Sequence, residues 1–359
     1  NQLIVNHTLK ALDKIGYQPR NESEKQKFLE LLKTQISVMT WNMSISINLD
    51  SEMHGKELSN AMEAEKETVM EKIYLILELI YNKQSITHVR QNIDQATSES
   101  ISYAVELLDL FADEEVKPLL FTLFEDVSES EKVKRLQDHF PLTQITKDTL
   151  LLDIMNRDIN YIARYTKACA IDALKNFAYA TSSTTIAHVF NPDILLKQLA
   201  ALAIAQNDPD KYHEISKRLG KQENVEMETF VNKQNTNTLF SLVTKAKNLA
   251  IFQGLPIAEI TEIIENSTIK ICYPEETIHF KKIGLDILIL LEGKVSLKQE
   301  KQNRTYNPGD VITQEHLALN TDLELHTLNN AILLYIPFVM AIRFMNNLQA
   351  KDELIARII

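Results

Sequence analysis

The chain has 359 residues, 45% of them hydrophobic, and a formal net charge of −11. That length accommodates two or three folding units, each with a buried core, and the interleaved acidic and basic residues supply no basic field to neutralise the phosphates of a nucleic acid. Only seven glycines occur, which speaks against glycine-rich phosphate-loop enzymes and for long helices, so the chain is expected to be multidomain and mainly α.

The chain opens on Asn1 with no charged-then-apolar signal pattern at its head, and it is expected to be a fragment of something longer. Residues 1–80 form the first predicted region. "KFLELLKTQISVM" and "MEKIYLILELIY" repeat apolar residues at helical spacing, and "MEAEKETVMEK" is charged enough to face solvent or pair with another helix. Trp41, the single tryptophan, lies in "SVMTWNMSISI" and is read either as a core anchor or as an exposed contact for a partner.

Residues 81–236 form the second region. "TSESISYAVELLDLF" starts with Thr97 or Ser98 as N-cap and Glu99 or Ser100 in the first turn, an arrangement that satisfies free helix amides. Asp113 to Glu115 and Pro118 then punctuate the next helix, where carboxylates suit the positive end of the dipole. In "RYTKACAIDALKNFA" and "NPDILLKQLAALAIAQNDPDKY" small residues alternate with leucines, so these helices are apolar on more surface than one partner can cover. They need neighbours on two sides, as in a stacked solenoid or an irregular bundle.

Residues 237–359 change character. Two helical stretches, "NTLFSLVTKAKNLAIF" and "IAEITEIIEN", are followed by a switch of period from 3.6 to about 2. "STIKICY", "ETIHF", "LDILILLEGKVSLKQE", "RTY", "DVITQ", "LELHTL" and "AILLYI" are short, rich in β-branched residues and separated by turn formers, which predicts a β-sandwich or jelly roll. Gly293 and Gly309 fall where strands turn and a positive φ is needed. The stretch "PFVMAIRFMNNLQAKDELIARII" predicts a closing helix. The longest apolar run, Ala331 to Ile342, is twelve residues, short of the roughly 20 that span a bilayer.

Cys169 and Cys272 sit far apart in apolar surroundings and read as buried free thiols of a reducing compartment, with the cytoplasm the expected location. His279, His316 and His326, with Glu315, offer ligand types that suit a divalent metal, but a closely spaced His-x-His pair is missing, and no metal or other cofactor is expected. No Walker loop, GxSxG elbow, HExxH, CxxC or GxGxxG occurs, so no catalytic residues are assigned and an enzyme is not expected. The acidic clusters at Asp113 and Glu63 read as solvated helix faces.

Two resemblances add to this reading. Ala170, Ala173 and Leu174, then Ala200, Ala201, Ala203 and Ile204 after the Pro192-Asp193 start, resemble the small-residue and leucine pattern of HEAT repeats over roughly residues 80 to 225. Residues 240 to 358 resemble the cyclic-nucleotide-binding domain family. The match runs through Phe252, Gly254, Leu255 and Ile260 in the helical lead-in, "YPEETIHF" from Tyr273, "LDILILLEGKVSL" with Gly293 and Val295 in register, and "NPGDVI" at the opening of the phosphate cassette. The resemblance implies a β jelly roll with flanking helices. In that family a glutamate bonds the ribose hydroxyl, backbone amides face the cyclic phosphate, and an arginine neutralises it.

In this sequence Gly309 opens the segment, Thr313 and Gln314 replace the close-approach glycine, Glu315 is placed to reach the ribose, and Thr321 followed by Asp322 occupies the arginine position. No Lys or Arg occurs from Thr305 to Ile342, and a phosphate buried without a cation is costly. The substitute cations are Lys298, Lys301 or Arg304 on the preceding hairpin, or Arg343 on the closing helix. Glu275 replaces another family glycine, which implies a relaxed turn. A cyclic nucleotide is therefore a doubtful ligand.

Helical repeats followed by such a roll look like the cytoplasmic tails of bacterial transporters related to ATP/ADP translocases. That likeness implies a non-enzymatic, regulatory or scaffolding module at the inner face of a membrane, with a protein partner or its own membrane domain as partner. The alternative is a small-ligand sensor that moves its C-terminal helix.

Overall fold

The structure, a computed structural model, describes residues 2–143, 145–147, 149–232, 237–280, 287–299, 302–312, 323–337 and 339–340. The chain divides into two compact units, Asn1–Met227 and Glu228–Ile359.

The first unit is helical. Its elements are α1 (Gln2–Lys14), α2 (Glu22–Asn48), α3 (Ser51–His54), α4 (Lys56–Ile80), α5 (Lys83–Asp94), α6 (Ser98–Phe111), α7 (Lys117–Phe124), α8 (Glu129–Leu136), α9 (Leu150–Asn156), α10 (Arg164–Leu174), α11 (Ser183–Val189), α12 (Ile194–Asn207) and α13 (Pro209–Ser216), with α14 (Lys221–Asn232) running across the boundary. Helix starts follow the local chemistry. Thr97 and Ser100 form a reciprocal capping box on α6, and Asp193 accepts the Leu195 N–H at the head of α12.

The long helices α2 and α4 pack along one another, and α2 also meets α8. From Val38 to Ile45 every residue of α2 is buried, so this half of the helix is enclosed on all sides. Trp41 is a core residue, with the Arg157 guanidinium 4.4 Å from its ring centroid. α10 packs against α4, α9 and α12, and its Ala170, Ala173 and Leu174 are buried, as are Ala200, Ala201, Ala203 and Ile204 of α12. Small side chains let these helices approach closely, and neighbours on more than one side account for their broad apolar surface.

The acidic run before α7 is more than a solvated face. Asp113 accepts hydrogen bonds from Lys25 Nζ and Tyr81 Oη, each at 2.6 Å, and Glu115 pairs with Lys33 at 2.7 Å. Burial alone would raise the Asp113 carboxyl, but these bonds and the Lys25 charge hold it below the usual range.

The second unit carries α15 (Leu239–Lys247), a 3₁₀ turn at Ala250–Phe252, α16 (Ile257–Glu265) and eight strands. These are β1 (Thr268–Cys272), β2 (Thr277–Phe280), β3 (Ile287–Glu292), β4 (Val295–Gln299), β5 (Gln302–Tyr306), β6 (Val311–Ile312), β7 (Leu323–Thr327) and β8 (Ala331–Ile336). They form two four-stranded sheets, in the orders β1-β8-β3-β6 and β2-β7-β4-β5, with every pairing antiparallel. Folding the chain back so that the first strand pairs with the last, and the second with the seventh, is the double Greek key of a jelly roll.

Between the sheets lie Leu288, Leu290, Leu297, Tyr306, Leu325 and Leu333, all at most 2% exposed. The alternate residues Ile287, Ile289 and Leu291 of β3 are also buried. α15 packs on β3 and α16 on β8, so the outer face of these two strands is covered, and Lys245 of α15 pairs with Glu292 at the end of β3. A strand covered on both faces reads as a continuous apolar run, which is why "ILILL" and "AILLYI" do not alternate.

Candidate functional site

The site proposed from sequence starts at the turn Asn307–Asp310. Pro308 and Gly309 take its two central positions, Gly309 has a φ of 92°, and the Asp310 N–H closes on the Asn307 carbonyl at 3.0 Å. That is the residue order of a turn that demands positive φ at its third position. Asp310 Oδ2 accepts the Asn307 N–H at 2.8 Å, and the Gly309 N–H donates to the Leu290 carbonyl at 2.8 Å. The Gly309 amide is thus committed to β3, and this glycine serves the turn. The turn delivers the chain into β6, whose Val311 and Ile312 pair with Ile289 and Leu288.

Thr313, Gln314, Glu315, Thr321, Asp322 and Arg343 lie outside the described residues, as do Lys301, His316 and the closing helix beyond Met340. Of the substitute cations on the hairpin, Arg304 lies over the Tyr306 ring, 5.2 Å from its centroid. Burial pushes the Tyr306 hydroxyl above its ordinary pKa, and Asp310 adds to the rise while Arg304 opposes it.

The lead-in residues are placed as their pattern requires. Phe252, Leu255 and Ile260 are buried, and Gly254 has a φ of 81°. Gly293 joins β3 to β4 at a φ of 90°, where a Cβ would lie 2.2 Å from the Asn330 carbonyl oxygen.

Glu275 corrects the expectation of a relaxed turn, because its φ of 63° keeps the left-handed geometry with a side chain in place of glycine. The turn is held by β7. The Glu275 N–H donates to the Thr327 carbonyl at 3.0 Å, the Glu276 N–H donates to Thr327 Oγ1 at 2.9 Å, and Thr327 Oγ1 donates to the Tyr273 carbonyl. Thr327 is the residue that sequence reading missed. It looks like any strand threonine, and its partners lie about fifty positions away.

His326 Nδ1 bonds Thr277 Oγ1 at 2.9 Å. Among the described residues no three His, Cys, Asp or Glu side chains gather as metal ligands, and no helix is long and apolar enough to cross a membrane. Cys169 and Cys272 are both free and buried.

No protein-family model matches the chain, and no curated protein matches it. Solved structures similar to it include cAMP-bound PfPKA-R, at 14% identity over 34% of this chain and 45% of that one, with a TM-score of 0.26. The regulatory domain of Toxoplasma gondii PKA with cAMP is similar at 12% identity over 37% of this chain and 54% of that one, with a TM-score of 0.28. The C-linker/CNBHD of zELK channels is similar at 14% identity over 48% and 82%, with a TM-score of 0.21. The match spans about half the length of the first two. The assignment of a jelly roll rests on strand order and register.

Proposed function

We propose that the chain is a non-enzymatic regulatory module, in which a HEAT-like helical solenoid presents protein-contact surfaces and a roll of the cyclic-nucleotide-binding type acts as a docking element. The observation that carries this reading is the interior of the roll. Its two sheets close over a continuous apolar core of their own side chains, Leu288, Leu290, Leu297, Tyr306, Leu325 and Leu333. Together with the replacement of the arginine by Thr321, with Asp322 beside it, in the sequence, this favours a packing role over nucleotide binding. In the larger protein the resemblance implies, the module sits at the inner face of a membrane and contacts a protein partner or its own membrane domain.

A second reading, a small-ligand sensor, has the intact Asn307–Asp310 turn in its favour, since that turn is the entrance to the cassette. Calorimetric titration of the full chain with cAMP, with cGMP and ATP as comparators, separates the two. Silence up to millimolar ligand is the expected result. Micromolar binding that is lost in Glu315→Ala would replace the docking role with a sensor.

A further inference from the structure

The outer face of α6 is apolar and acidic at once. The helix packs against α5 and α7, yet only Ser100, Ala104 and Leu108 of its fourteen residues are buried. Tyr103 is 52% exposed and Leu110 is 81% exposed. Being seven positions apart, they stand on one face two turns from each other, about 10.5 Å along the axis. Leu107 lies between them, half-buried, and roots the row in the core of the first unit. Positions i, i+4 and i+7 make an apolar row on the side of the helix that faces water.

A second row runs beside the first. Glu99 and Glu106 are also seven apart, both are exposed, and among the described residues neither forms an ion pair. Asp109, by contrast, is held by Lys117 at 3.1 Å. No Lys, Arg or His occurs anywhere in α6, so the helix supplies no cation of its own.

We propose that this face of α6 docks an amphipathic helix of a partner protein that carries apolar anchors flanked by Lys or Arg. The spacing is that of a heptad seam, in which Tyr103, Leu107 and Leu110 take positions d, a and d, and Glu99 and Glu106 both take g. Carboxylates at g select basic residues across the seam. A second copy of this chain does not supply them. Its own α6 would bring the same glutamates, or Ala104 and Phe111 at the e positions, to face Glu99 and Glu106. An anionic membrane surface is repelled by the same acidic row. The assignment rests on the reading of the helical unit as a protein-contact surface, and it gives that surface a place and a partner chemistry.

The test uses the full chain and two synthetic helical peptides, both with leucine at a and d, one with lysine and the other with glutamate at e and g. Fluorescence anisotropy of the labelled peptides reads the affinity. Micromolar binding of the lysine peptide and none of the glutamate peptide is expected. The chain carries a net charge of −11, so attraction for any basic peptide has to be separated from docking at this face. Leu110→Gln does so, because it leaves the charge unchanged and removes a side chain that the fold does not bury. It is expected to fold normally and to weaken binding about tenfold, with Tyr103→Gln as the second variant. Glu99→Gln combined with Glu106→Gln is expected to weaken binding about threefold and to flatten its salt dependence. Lysine-peptide binding that is unchanged in Leu110→Gln and Tyr103→Gln would overturn the assignment to α6 while leaving the helices a contact surface elsewhere. Equal binding of both peptides, or of neither up to millimolar concentration, would overturn the partner chemistry. A dimer of the parent chain that Leu110→Gln dissociates would give the face to a second copy instead.

Discussion

Gly293 and Glu275 show how differently two left-handed positions are read from sequence. At Gly293 the Asn330 carbonyl leaves no room for a Cβ, and a glycine between two apolar runs announces this directly. At Glu275 the chain holds the same hand of φ without glycine, through hydrogen bonds from a strand that sequence cannot pair with it. A non-glycine residue at positive φ costs about 1–2 kcal/mol, offset in part by the greater unfolded-state freedom of glycine. Glu275→Gly is therefore expected to stabilise the chain by about 0.5–1 kcal/mol in urea unfolding. A variant of lower stability would mean that the glutamate side chain contributes more than its backbone strain costs.

At the scale of elements, helix starts were legible where the cap is local. Thr97 and Asp193 announce α6 and α12, but α10 begins after Ala163, which has no capping side chain. Its cap comes from α4, where Glu65 Oε1 accepts the Ala163 N–H at 2.7 Å and the Thr166 hydroxyl at 2.6 Å. Nothing in the local sequence of α10 points to a residue about a hundred positions earlier.

Burial pushes the Glu65 carboxyl above its usual range, against the hydrogen bonds from Thr166 and Ala163 and the charge of Lys72. The folded chain then holds this proton more tightly than the unfolded chain, whose glutamates titrate near roughly 4.3. Stability from this group is therefore fully present below the unfolded value and falls as pH rises through the folded one. Glu65→Gln keeps the acceptor oxygen and removes the titration. It is expected to raise stability at pH 7 by about 1 kcal/mol and to flatten the pH profile of the melting midpoint. A glutamine variant that melts lower at pH 7 would show that the ionised carboxylate is the favoured form.

At the scale of the whole molecule, the change from helices to strands after Asn266 was legible because periodicity is a local property. Periodicity left open the choice between a sandwich and a jelly roll, which only the family resemblance decided, because that choice depends on β1 pairing with β8 and β2 with β7, across the length of the unit. The broad apolar surfaces of α10 and α12 were legible as a need for several neighbours, whereas the identity of those neighbours was not. Of the nucleotide pocket, only the turn around Gly309 can be compared with its expectation, and it serves β3.

The two buried thiols fall one in each unit, Cys169 in the first and Cys272 in the second. Burial raises both above the ordinary thiol pKa, so neither is reactive while its surroundings stay closed. A thiol-labelling reagent reaches each sulfur only when that unit opens, and the two labelled peptides differ in mass. Labelling followed by mass spectrometry is therefore expected to time the opening of the helices and of the roll separately, in one unmodified sample. Identical rates at both cysteines over a range of urea would mean that the chain unfolds as a single cooperative body.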